Sequence, residues 1–284
     1  MNNHISDIEE ELYSYDDTQE QLYSPLYKIY KNSNPYFSKL LNLFILLFYF
    51  LESILYSDNN EDVSSFTENL YFCVIEKYPY CQDNRYQLWR FITSSFLHLN
   101  LRHLFSNIVI LFPLTYYFEI FYDFRNLIII LLLTSFTSNL IFYYYQPYTA
   151  IIGCSHLVFG LFGSLLSDYI VNKKYNDSFY ILQLIMCLLP IVIDVSIYYF
   201  NRNENSGYIS HWGGYLTGFI TGLIFLYNFI NKKYNNKIKY LLSLIFLYII
   251  SYLSYNYIFN WPPKIDDNCC YLLLTNQTVY NCLK

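Results

Sequence analysis

Residues 153–160 read GCSHLVFG and lie within an apolar run covering roughly 150–171. Polar side chains at bilayer depth are costly and usually have a partner or a task. A serine and a histidine side by side there raise two questions. One is whether the run is a membrane span, and the other is what the two side chains meet.

Working outward, six more apolar runs flank it, at roughly 38–57, 104–122, 127–145, 179–199, 208–230 and 238–259. Each is close to the ~20 residues that cross a bilayer as a helix. Composition agrees: 55% of the 284 residues are hydrophobic, 14% are charged, and between Asn126 and Val171 the only charge is Asp168. A soluble core would need shorter runs with amphipathic helices between them. The expected fold class is an all-α membrane protein with seven spans. The first run follows the acidic segment 1–37, which carries Asp7, Glu9, Glu10, Glu11, Asp16, Asp17 and Glu20. A cleavable signal would need a basic start, so this run is read as a first span. The acidic segment is expected to be disordered.

Orientation follows from lysine and arginine in the short connections. One set carries Lys28, Lys31, Lys39, Arg125, Lys173, Lys174, Lys232, Lys233, Lys237 and Lys239. The opposite set, QPYTA and NRNENSG, carries only Arg202. The N-terminus is therefore expected in the cytosol, with the loop 58–102 and the tail 261–284 in the lumen or outside. Asn276-Gln277-Thr278 in that tail is a glycosylation sequon. Cys73, Cys81, Cys269, Cys270 and Cys282 all fall in the two segments where disulfides can persist. Cys73 with Cys81 is the local pairing, and a bond between loop and tail is the alternative.

With this topology the second, fourth and sixth spans start on the same side. The second opens with His103 and Asn107, four residues apart and so on one helix face. The fourth opens with Ser155 and the sixth with His211. A helix from Ser155 to Val171 rises ~25 Å at 1.5 Å per residue, which leaves Ser155 several ångströms inside a ~30 Å core. Gly153 and Gln146-Pro147 favour a non-helical lead into the fourth span, tolerated at depth only where it lines a polar cavity. Gly160 and Gly163 on the fourth span, and Gly214, Gly218 and Gly222 on the sixth, let the two helices approach closely. Close approach would bring the Ser155 hydroxyl to the His211 imidazole, a pair sufficient for nucleophilic catalysis. His103, Asn107 and the Ser155 backbone N–H are the candidate donors for the resulting oxyanion.

These residues resemble the rhomboid family of intramembrane serine proteases, from Trp89 to about Tyr227. The likeness rests on the Trp89-Arg90 pair and on H-x4-H-x3-N at His98, His103 and Asn107. It continues with Glu119, with G-x-S at Ser155 followed by Gly160 and Gly163, and with H-x2-G-x3-G at His211, Gly214 and Gly218. The resemblance implies a six-helix transmembrane core over 38–232, with a seventh transmembrane helix at 233–260 as in the secretory-pathway branch. It implies Ser155 as nucleophile, His211 as base with Phe159 stacked on it, and His103 and Asn107 lining the oxyanion site. Trp89, Arg90, His98 and Glu119 match positions read as structural. Two positions depart from the pattern: His156 and Asp123 stand where the family has glycine. His156 is expected to face a neighbouring helix or the cavity, and its exchange for glycine to retain or raise activity.

Two readings stand side by side. The chain is a serine endopeptidase that cleaves single-span substrates in the bilayer, or a non-catalytic relative that binds and escorts or retains membrane clients. The intact Ser155, His211, His103 and Asn107 favour the first, and His156 the second. Neither needs a cofactor. No metal constellation, nucleic-acid patch or transporter repeat is present in the sequence.

Overall fold

The computed structural model describes residues 34–57, 75–76, 82–83, 87–145, 151–172, 178–200, 207–226 and 236–260. The acidic segment up to residue 33, the sequon and the five cysteines of the loop and tail lie outside the described residues. One long helix answers each apolar run: α1 Tyr36–Ser57, α2 Leu101–Tyr122, α3 Phe124–Tyr145, α4 Ser155–Asn172, α5 Ser178–Phe200, α6 Tyr208–Phe225 and α7 Asn236–Tyr255. A two-residue antiparallel pairing, Ile75–Glu76 with Gln82–Asp83, sits in the loop after α1. A helical turn Arg90–Thr93 and a 3-10 turn Ser94–Phe96 lead into α2.

Among the described residues, five helices are long and apolar enough to cross a membrane, namely α1, α2, α3, α5 and α7. The remaining two, α4 and α6, have 18 residues each and carry Ser155 and His211. At 1.5 Å per residue each is ~27 Å long, close to the thickness of the hydrocarbon core. Both are central in the bundle, with most of their residues buried. Ser164 Oγ donates to the Gly218 carbonyl (2.9 Å) and Ser167 Oγ to the Phe219 carbonyl (2.5 Å), tying α4 to α6.

Glycine sets the approach. A β-carbon on Gly163 would stand 2.0 Å from the Tyr215 carbonyl oxygen, and one on Gly214 2.4 Å from that of His156. A β-carbon on Gly160 would meet the Thr134 side-chain methyl of α3 at 2.3 Å, whereas those on Gly163 and Gly214 meet backbone, so the closest approach is between α4 and α6. Without a hydrophobic force between helices in lipid, such backbone-to-backbone contact is what holds the core.

Two carboxylates, half-buried Glu119 and buried Asp168, brace the end of the bundle opposite Ser155. Glu119 near the end of α2 accepts from the Phe37 and Ser38 backbone N–H groups (2.9 and 2.6 Å) and from Ser38 Oγ (2.5 Å). A carboxylate at the start of α1 meets unpaired N–H groups and the positive end of the helix dipole. Asp168 on α4 accepts from the hydroxyls of Tyr117 and Tyr122 and from Gln183 Nε2, joining α2, α4 and α5.

Candidate active site

The lead into α4 fixes Ser155. Gly153 has φ +109°, a conformation that only glycine adopts readily. A β-carbon there would also stand 2.6 Å from Cε1 of His103. The Gly153 N–H donates to the Ser94 carbonyl (3.0 Å), so the turn before α2 holds the segment that delivers Ser155 to the first position of its helix. That turn is itself pinned to α3, because Ser135 Oγ (2.7 Å) and Asn139 Nδ2 (2.6 Å) both donate to the Phe91 carbonyl.

At this start of α4 the imidazole of His211 reaches across from α6. Its Nε2 lies 2.9 Å from Ser155 Oγ, and its ring stacks on Phe159 at 4.4 Å between centroids and 6° between planes. An imidazole at that distance can remove a hydroxyl proton and later return it to a leaving group.

His103 and Asn107 share one face of α2. The Asn100 side chain caps that helix by accepting from the His103 N–H (2.9 Å). Nδ1 of His103 and Nδ2 of Asn107 are buried and meet no hydrogen-bond partner among the described residues. Buried polar atoms are normally paired, so two unpaired ones on one face at the start of α2, where the His103 ring lies against Gly153, are available to a group that enters there. An oxyanion is one such group.

His98 is buried and lies in the loop ahead of α2, its ring edge-on to His103 at 5.3 Å and its Nε2 3.4 Å from the Cys154 N–H. Burial, with His103 beside it, pushes its imidazole from the ordinary 6.5 down to about 4, so it is neutral near pH 7. Arg90 is buried, and its Nε donates to Gln87 Oε1 (2.6 Å). Trp89 contributes backbone, its carbonyl accepting from Ile92 and Thr93, while its side chain is 56% exposed.

Comparison with known proteins gives the family. A family profile described as Rhomboid domain matches residues 85–228, just over half of the chain. The chain belongs to the rhomboid family. Rhomboid-like protease 3 of Toxoplasma gondii is 26% identical over 147 residues, 51% of this chain and 54% of that protein. RHOMBOID-like protein 5 of Arabidopsis thaliana is 28% identical over 152 residues, 51% and 48% of the two chains. Rhomboid protease GluP of Bacillus subtilis is 26% identical over 195 residues, 67% and 35%. The chain spans about half the length of the first two relatives.

Within this rhomboid the two departures from the family pattern have different consequences. His156 is 1% exposed and points away from Ser155. Its Nε2 lies 2.9 Å from Ser95 Oγ and 3.3 Å from Ser135 Oγ, so it fastens the start of α4 to the preceding turn and to α3. It is a bonded residue of the core and not a crowding substituent. Asp123 has φ +72° in the one-residue turn between α2 and α3. That conformation explains the family's glycine and strains an aspartate.

One site residue escapes the sequence reading. Asp194 of α5 is 5% exposed, and its Oδ1 lies 2.9 Å from Nδ1 of His211. The signal was a lone carboxylate in an apolar span, which is by itself a pointer to function. Nothing in the spacing connects it with His211, because the contact joins two separate helices.

Proposed function

We propose that this rhomboid-family chain is an intramembrane serine endopeptidase. It hydrolyses peptide bonds in or beside the transmembrane helices of single-span substrates. The observation that carries the reading is the 2.9 Å contact between His211 Nε2 and Ser155 Oγ, held by glycine-packed helices and a stacked aromatic ring.

In the reaction Ser155 Oγ attacks the scissile carbonyl carbon as its proton passes to His211 Nε2. The negative charge that develops on the carbonyl oxygen falls to His103 and Asn107 of α2 and to the Ser155 N–H at the positive end of α4. The imidazolium then gives its proton to the departing amine as the C–N bond breaks, leaving an ester on Ser155. Water, with His211 as base, hydrolyses the ester.

The second reading, a non-catalytic client binder, rested on His156 in place of glycine. The bonds of His156 to Ser95 and Ser135 leave the Ser155–His211 contact unobstructed and favour the enzyme. The basic connections further suggest a cytosolic N-terminus and a luminal or extracellular Ser155 end, in the secretory pathway or plasma membrane. The lipid bilayer is the medium of the reaction.

The test is to reconstitute the full chain in liposomes with a panel of fluorescent single-span substrates. Cleavage within or near a transmembrane helix that disappears in Ser155→Ala is expected. Equal cleavage by Ser155→Ala, or no cleavage of any substrate by the folded protein, contradicts the proposal.

A further inference from the structure

Asp194 is the sole charged residue of α5, a helix whose apolar side chains are largely exposed. A carboxylate at bilayer depth is costly and persists there with a partner. His211 is that partner, with its Nδ1 2.9 Å from Asp194 Oδ1. On the opposite edge of the same ring, Nε2 lies 2.9 Å from Ser155 Oγ. Phe159 covers one face of the imidazole, so the ring is held on both edges and a face.

The chemistry of the donors decides where the protons are. An ionised carboxylate only accepts hydrogen bonds, so the contact with Asp194 requires the proton on Nδ1. A neutral imidazole has a single N–H, and with it on Nδ1 the lone pair on Nε2 faces Ser155. The serine hydroxyl then donates to Nε2, the only direction in which its proton can be taken. Without a charged acceptor at Nδ1 the ring is free to carry its proton on Nε2, where it cannot act as base.

We propose that Asp194 is a positioning residue that fixes His211 with Nδ1 protonated and Nε2 turned to Ser155. The site would then work as a Ser155–His211–Asp194 triad rather than as a pair. This rests on the serine-protease reading of the site. In the attack step the Ser155 proton moves to Nε2 while Oγ bonds to the carbonyl carbon. The imidazolium later delivers that proton to the leaving nitrogen. Asp194 gains and loses no proton, and its negative charge stabilises the transient imidazolium.

The contrasting possibility is that the contact merely fastens α5 to the bundle. Two measurements on the full-length protein in lipid nanodiscs separate the two. The first is the ¹⁵N spectrum of the His211 side chain, which reports the tautomer whatever the activity. The second is the rate at which a fluorophosphonate labels Ser155. Asp194→Asn keeps the shape of the side chain, and thermal unfolding checks that the variant is folded. It should convert a single Nδ1–H tautomer into a mixture and slow labelling about 100-fold or more. Asp194→Glu, which restores a carboxylate, should label faster than Asp194→Asn.

An unchanged tautomer and labelling rate in Asp194→Asn, with at most a shift in thermal unfolding, would overturn the proposal in favour of simple fastening. So would a wild-type His211 that carries its proton on Nε2. A wild type with Nδ1–H lost in Asp194→Asn, but with Ser155 unreactive throughout, supports the positioning and removes the protease reading alone.

Discussion

The carbonyl oxygen of Gly160 occupies the place where any larger residue at 218 would put its β-carbon, 1.8 Å away. The obstacle is backbone on a neighbouring helix, so it cannot turn aside as a flexible side chain would. Gly218→Ala must therefore spread α4 from α6 and separate Ser155 from His211. Overpacking costs ~1–3 kcal/mol, and more where the backbone itself must move. Thermal unfolding in detergent should show a clear loss of stability, and any cleavage activity should vanish with it.

The turn between α2 and α3 invites the opposite change. Asp123 holds φ +72°, and such a conformation costs a non-glycine residue ~1–3 kcal/mol. Glycine relieves that strain and returns roughly 0.5–1 kcal/mol as unfolded-chain entropy. Asp123→Gly is thus expected to stabilise the protein by about 1 kcal/mol, read as a raised unfolding midpoint with activity unchanged. The exposed ion pair with Arg125 that it removes contributes little.

His156 reverses an expectation drawn from the sequence. Seen only as a residue in the family's glycine position, it reads as a tolerated neighbour whose exchange for glycine retains or raises activity. The imidazole is instead buried and bonded to Ser95 and Ser135, and glycine would leave a cavity beside two hydroxyls. His156→Gly should cost ~2–4 kcal/mol, measurable by denaturant titration, and should lower activity. A variant as stable as the parent would show that the bonds contribute nothing.

A pH dependence follows from His98. Its folded value of about 4 lies below the ordinary 6.5, so between these values the unfolded chain binds a proton that the folded protein does not. The stability contributed by the neutral, buried ring is complete above pH ~6.5 and is lost as pH falls through 4. His103 and Cys154, which it contacts, lie on the segments that carry the candidate site. Unfolding midpoints of the parent and of His98→Gln should therefore converge as pH falls from 7 to 4, and a constant gap would contradict the assignment.

The long helices were legible because a bilayer leaves a chain few options: each of α1 to α7 announced itself as an apolar run, and five of them are long and apolar enough to cross a membrane. The glycines that seat α4 on α6 were legible for the same reason, since small residues four apart mean close approach in lipid. Where α4 begins was less so. The apolar run starts near 150, but Gly153 at φ +109° and its bond to Ser94 delay the helix to Ser155. The partners of His156 and Asp194 lie on other helices and could not be read at all. A sequence gives the direction of a side chain on its own helix and is silent about the residue waiting across the gap.

The central claim is that Ser155 is a nucleophile made reactive by His211. The most direct measurement is peptide mapping by mass spectrometry after a fluorophosphonate treats the full-length protein in a bilayer. A covalent adduct on Ser155, absent in His211→Ala protein that remains folded, is the predicted result. An unmodified Ser155, or equal modification with and without His211, would contradict the account.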